Sequence, residues 1–299
     1  MRTFWSLVKR NMKLFFNDKG MFLTSLITPL ILLVLYVTFL GNVYKDSLLT
    51  NFKGLEISDK VIGGIVSGQL VSSILAVSCI TVAFCSNFLM VQDKALGNIK
   101  DITISPVKSN VLSLSYYVAS LFSTLIICFV ATVLCLVYIA VTGWYLTVLD
   151  VAMIFLDVVL LVLFGTILSS IINHFLSTQG QISAVGTVVS SIYGFLCGAY
   201  MPLSTFPEGL QKVLSFLPGT YGTSLLRVHA MESALKALEG ELPSAALESV
   251  DAARDAFDLN LYFFGNEVSN PVKILILSGS VIALIVVYLL LNKFKRKRA

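Results

Sequence analysis

Few side chains in this 299-residue sequence are of a type to do chemistry, and their spacing rules out most of it. The five cysteines (Cys79, Cys85, Cys128, Cys135, Cys197) all lie within apolar runs, so they give no sign of a secreted disulfide framework. His174 and His229 stand far apart, and no Cys/His cluster has the spacing of metal ligands. No Ser-His-Asp set, paired carboxylates or catalytic cysteine arrangement is visible, and no G-x-x-x-x-G-K-[ST] phosphate loop occurs. One residue stands out. Asp157 is the only carboxylate inside an apolar run, and it costs enough there to read as a functional site by default. The alternative is a structural role, hydrogen-bonded to Ser or Thr on a neighbouring helix.

The elements that must position these residues are membrane helices. The chain is 57% hydrophobic and only 13% charged, well below the quarter or so typical of soluble domains. Six apolar runs, about 21–40, 61–91, 111–141, 151–172, 182–201 and 272–291, are each read as a span, since a helix needs about 20 apolar residues to cross a bilayer. The expected fold is therefore an all-α polytopic membrane protein with six transmembrane helices. Pro29 falls inside the first run and bends it. Residues 41–60 read as a polar loop. Gly64-x-x-x-Gly68 opens the second run with a spacing that lets helix backbones approach closely.

Residues 1–20 precede the spans as an amphipathic segment. Phe4, Trp5, Val8, Met12 and Phe15 gather on one side of a helix and Arg2, Lys9, Arg10 and Lys13 on the other, which suits the headgroup layer with cations toward lipid phosphate. A polar island, 92–110, separates the second and third runs. Leu96, Ile99, Ile102 and Thr103 fall at helical spacing there, with Lys94, Lys100 and Asp101 elsewhere and Ser105-Pro106 as the stop. The remaining polar region, 204–270, opens with Gly198, Tyr200, Pro202, Leu203, Phe206 and Pro207 and continues to Pro218 and Tyr221. These prolines break the fifth run and turn the chain back along the membrane surface. Beyond them 223–259 reads as two helices divided by Gly240 and Pro243, with an acidic character expected to be solvated.

Two of these stretches carry a resemblance. Gly97 followed nine residues later by Pro106, with Ser105 before it, Lys94 as the basic residue and Ile102 in a leucine position, is similar to the cytoplasmic loop of the ABC-2 type permease family. The chain departs from that pattern at Ala95, Asn98 and Lys100. The Gly-aromatic-Pro-Leu series from Gly198, with the later Pro218 and Tyr221, also resembles the family. The resemblance implies a permease subunit with an interfacial helix (1–20), a six-span domain (21–299), a coupling helix (92–110) and an outer re-entrant helical region. It assigns Lys94, Gly97, Ile99, Lys100, Asp101, Ile102, Ser105 and Pro106 to ATPase coupling, and makes the Gly198–Tyr221 series an outer gate. It implies two ABC ATPase subunits that bind ATP and Mg, none in this chain, and a second permease, with the pathway lined by the second and fifth spans.

Charge sets the expected orientation. Thirteen of the 21 Lys and Arg residues lie before the first run, in the 92–110 island or in the tail after 291. The positive-inside rule puts that face, and both termini, in the cytoplasm of a bacterial inner membrane. Membrane lipids are expected partners and nucleic acid is not. A passive channel or ion-coupled carrier without an ATPase stays open, as does a membrane anchor for another complex.

Overall fold

The computed structural model describes residues 2–52, 57–104, 107–243 and 247–295. Its axis is a 37-residue helix, α4 (Asp59–Ala95), about 55 Å long at 1.5 Å per residue. The most apolar stretch of α4 is 94% buried, because other helices enclose it on every side. Its hydroxyls survive there by bonding locally: Ser72, Ser78 and Thr81 donate to the carbonyls of Gln69, Ile74 and Val77. Two polar contacts fix its neighbours. Ser86 Oγ meets Thr124 Oγ1 at 2.9 Å, and Asn87 Nδ2 donates to Ser169 and Ser170 at 2.8 and 2.6 Å.

Around α4 stand α2 (Lys19–Leu35), α6 (Ser109–Thr142), α7 (Val148–Phe175), α8 (Gln179–Leu196) and α10 (Pro218–Glu241). The helix α1 (Arg2–Asn17) precedes α2 and packs on α6, and α12 (Asn270–Lys295) closes the bundle against α7 and α10. The helix starts of α2, α7 and α8 carry side-chain caps. Asp18 accepts from the Met21 amide, and Thr147–Asp150 and Thr178–Gln181 form capping boxes for α7 and α8. Pro218 opens α10, where a missing amide costs nothing.

The predicted loop over 41–60 is a correction: its first half is helix. After α2 a π-helical turn, Tyr36–Leu40, passes directly into α3 (Gly41–Asn51), because Gly41 keeps helical angles and no proline follows to stop it. The span count is met in part. Among the described residues five helices are long and apolar enough to cross a membrane: Lys19–Thr50, Asp59–Ala95, Asn110–Thr142, Val148–Phe175 and Asn270–Lys293. The predicted span 182–201 is the shorter helix α8, whose serines, threonines and glycines dilute its apolar content and which ends before Cys197.

The predicted two-helix insert differs most. Its first helix, α10, is not a surface element but is buried between α4 and α7 from Gly219 to Met231. Small residues permit this: a Cβ on Gly68 would sit 2.5 Å from the Ala230 carbonyl oxygen. The chain then forms α11 (Leu247–Ala256) and a two-residue hairpin, β1 (Tyr262–Phe263) with β2 (Asn266–Glu267). Phe264 and Gly265 turn it with φ of 50° and 86°. Below, the end bearing α1 is called basal and the end bearing this hairpin distal.

Candidate functional site

At the basal end one carboxylate joins four helices. Asp93, near the end of α4, accepts from Arg10 of α1 at 2.9 Å, Tyr116 of α6 at 2.5 Å and Asn98 at 2.8 Å. Asn98 is the first residue of α5 (Asn98–Ile104), so the joint holds the start of the island's helix. Burial alone would pull the Arg10 guanidinium down, but Asp93 and Tyr116 outweigh it and hold Arg10 above the ordinary arginine value. The next residue, Lys94, reaches the carbonyls of Asn173, His174 and Leu176 and so caps the basal end of α7.

The island is therefore organised differently from its predicted single helix over 92–110. Residues up to Ala95 extend α4, and Gly97 turns the chain with a φ of +84°, a conformation that favours glycine. On α5, Ile99 and Ile102 pack inward against the core, whereas Lys100, Asp101 and Ile104 are exposed, as is Leu96 before it. Ser105 and Pro106 lie outside the described residues. Sequence reasoning named Lys94 and Gly97 here but missed Asp93, Arg10 and Tyr116. No local pattern links Arg10 to a partner 83 positions away.

Beside the joint a groove of about 1050 Å³ opens between α2 and α8, with α4 as its floor. Met21, Ile27, Leu32 and Leu35 form one wall, and Phe88 and Cys85 lie at the back. The α8 wall carries a ladder of hydroxyls, Ser183, Thr187, Ser190 and Ser191. Asp18, Gln92 and Gln179 mark its basal mouth, and Tyr200 lies toward the other end. The predicted second and fifth spans thus both contribute, with the first as the facing wall.

A sequence profile of the ABC-2 type transporter family matches residues 2–230, from α1 through the joint and groove into α10. The chain belongs to that family. Among curated proteins none matches it significantly. As an ABC-2 transporter chain it is a multi-pass membrane permease component, a class that does not itself carry out catalysis.

In this ABC-2 chain the Gly198–Tyr221 series is stitched into the distal end of the bundle. Gly198 turns with a φ of +71°, and its carbonyl accepts from Arg227. Arg227, 1% exposed, also meets Asp258 at 2.8 Å, and Asp258 accepts the amides of Leu203 and Ser204 at 2.5 and 3.1 Å. Burial pushes the Asp258 carboxyl up, against the opposing pull of Arg227 and those two amides. Tyr200 folds back over Gly194 and donates to the Ser190 carbonyl at 2.9 Å. Pro202 and Pro207 flank a short turn, Leu203–Thr205, in which Leu203 is buried, while Phe206 is half-buried. Then α9 (Glu208–Leu214) leads to Pro218, and Tyr221 donates to the Ser215 carbonyl at 2.6 Å.

Asp157 has a partner that the sequence did not suggest. Its Oδ2 lies 2.6 Å from His229 Nδ1, across the contact of α7 with α10. The expected Ser or Thr partner is replaced because His229 belongs to a buried helix rather than to a solvated insert. The acidic region is also partly paired: Arg254 of α11 gathers Glu232, Glu239 and Asp251 at 3.1, 2.7 and 2.7 Å. Burial would lower Arg254, but Glu232 and Glu239 reverse this and raise it.

Proposed function

We propose that the chain is the permease half of an ATP-driven exporter, paired with a second permease and with two separate ATPase subunits that bind ATP and Mg. The observation that carries this reading is the basal joint. Asn98, the first residue of the short helix α5, donates to the α4 carboxylate Asp93, so a push on α5 can pass directly into the central helix. Ile99 and Ile102 seat α5 against the bundle, leaving Leu96, Lys100, Asp101 and Ile104 as the surface for the ATPase groove. Packed helices transmit displacement because close-packed interiors resist compression.

The weight of Lys and Arg at the basal end supports a cytoplasmic position for α1 and α5. In that orientation α8 counts as a sixth crossing, continued outward by α10, and the distal cap from Gly198 to Tyr221 closes the outer end. Exposed apolar side chains on both rims of the groove, Ile27 and Ile31 of α2 with Val188 and Ile192 of α8, suit a seam with the second permease. An ion-coupled carrier draws support from the Asp157–His229 pair, but neither residue lines the groove. The test is transport in sealed inside-out vesicles. Uptake that requires ATP and the co-expressed ATPase, and survives collapse of ion gradients, is expected. Gradient-driven uptake without ATP overturns the reading in favour of the carrier.

A further inference from the structure

The groove walls have a hydrogen-bonding polarity. On α8, Ser183 donates to the Gln179 carbonyl at 3.2 Å, Thr187 to Ser183 at 2.9 Å and Ser190 to Gly186 at 2.8 Å. Tyr200 and Tyr36 likewise give their hydroxyl protons to the carbonyls of Ser190 and Ala199, at 2.9 and 3.0 Å. A hydroxyl has one proton and two lone pairs, so each of these groups has only acceptor capacity left for a ligand. Among the described residues no Lys, Arg or His lines the groove, and the one charged side chain there is Asp18 at the basal mouth. The side-chain amide donors, Gln92 and Gln179, stand at that same mouth.

This arrangement selects by chemistry. A phosphate, sulfate or carboxylate carried along the groove would meet no counter-charge, and apart from the hydroxyls of Thr24, Thr28 and Ser191 mainly oxygen lone pairs; burying an unpaired anion is strongly unfavourable. A hydroxyl, amide or ammonium group would instead find acceptors at successive turns of α8, with a mainly apolar wall, interrupted by Thr24 and Thr28, opposite for the rest of the molecule. A volume of about 1050 Å³ lies at the upper end of small-molecule sites, which run from roughly 300 to 1,000 Å³. We propose that the groove binds an amphiphile that donates hydrogen bonds and carries no negative charge, a polyol or amine on an apolar body. The inference rests on reading the groove as the cargo site of the permease, but binding to it can be measured without ATP or the ATPase.

The experiment uses the full chain in membrane vesicles with Cys85→Ala and a reporter, Thr24→Cys on the α2 wall, labelled by a maleimide. Ser191→Cys serves as a second reporter, and Val130→Cys on the outward face of α6 reports membrane partition alone. Four probes share a twelve-carbon chain: monolauroylglycerol, dodecylamine, dodecyl phosphate and methyl laurate. The glycerol and amine probes are expected to slow labelling in the groove roughly five-fold more than methyl laurate, the equivalent of about one hydrogen bond. They should leave Val130→Cys unchanged, and dodecyl phosphate should protect no better than methyl laurate. Ser183→Ala with Thr187→Val, which removes two acceptors, should erase the preference. Protection by the glycerol probe but not the amine, or the reverse, supports the site and assigns its source of donors. Equal protection by dodecyl phosphate, equal protection by methyl laurate, protection matched at Val130→Cys, or no protection by any probe overturns the proposal. Loss of ATPase coupling leaves these outcomes unaffected and bears on the exporter reading alone.

Discussion

Asp93 is the residue whose removal should cost the basal joint most. Its side chain is 4% exposed, whereas that of Arg10 is 33% exposed. Asp93→Ala strands Tyr116, buried at 2% exposure, and releases Asn98 at the start of α5. Each buried polar group left without a partner costs about 1–3 kcal/mol, so a total near 3–5 kcal/mol is expected. Arg10→Ala should cost only about 1–2 kcal/mol, because water reaches the guanidinium and Asp93 keeps its other two donors. The two losses should not add. Their interaction in a double-mutant cycle should be about 1–2 kcal/mol, against the roughly 0.3–0.5 kcal/mol found for independent sites. The assay is unfolding of the purified chain by increasing SDS in mixed micelles, followed by circular dichroism. Additive losses, or an Arg10 effect as large as that of Asp93, would refute the view that Asp93 is the centre of the joint.

A Cβ added at Gly97 would meet no atom within 4 Å, so the need for glycine there is conformational rather than steric. Gly97→Asn should cost well under about 1 kcal/mol and keep ATPase stimulation, while Gly97→Val, at about 1–2 kcal/mol, should reduce it. Asp258→Ala leaves Arg227 buried without its counter-charge, and a loss of about 3–5 kcal/mol should open the distal cap to protease before the bundle unfolds. Asp157→Asn keeps a hydrogen bond to His229, so transport should stay within about two-fold of the parent. A stable, assembled Asp157→Asn complex that no longer transports would show that the charge itself is required.

The sequence discloses the helices more readily than their neighbours. Apolar length marks the runs that became α4, α6, α7 and α12, since few alternatives satisfy the backbone in lipid. It does not disclose that α4 is the axis, because its serines and threonines look like surface polarity until their hydroxyls are seen bonded to their own helix. Tertiary packing also overrode composition in α10. Pro218-Gly219 and the Ser, Arg and His that follow suggest a loop and a wet helix, yet Gly222 sits against Leu161 and Arg227 is held at both terminal nitrogens by Gly198 and Asp258. The small residues Gly219, Gly222, Ala230 and Ala234 were the available signal of close packing, and with it His229 becomes a candidate partner for Asp157. At the candidate site, helical spacing over 99–103 was legible locally and Gly97 only through the family resemblance, while the break that Gly97 makes between α4 and α5 was not. The inward aim of Ile99 and Ile102 was not, because a seven-residue helix shows too few positions to reveal which apolar side is covered.

The central claim is that the exposed side of α5 grips an ATPase. The most direct measurement is capture of the tagged chain from membranes in which it is co-expressed with the proposed P-loop ATPase, for the parent and for Leu96→Asp with Ile104→Asp. Leu96 and Ile104 are 70% and 85% exposed, so their replacement should leave folding and membrane insertion unchanged. The account predicts that the parent retains the ATPase in near-equal amount and that the double variant loses at least about nine-tenths of it, the effect of a little over about 1.4 kcal/mol. Equal recovery of the ATPase with both chains would contradict it.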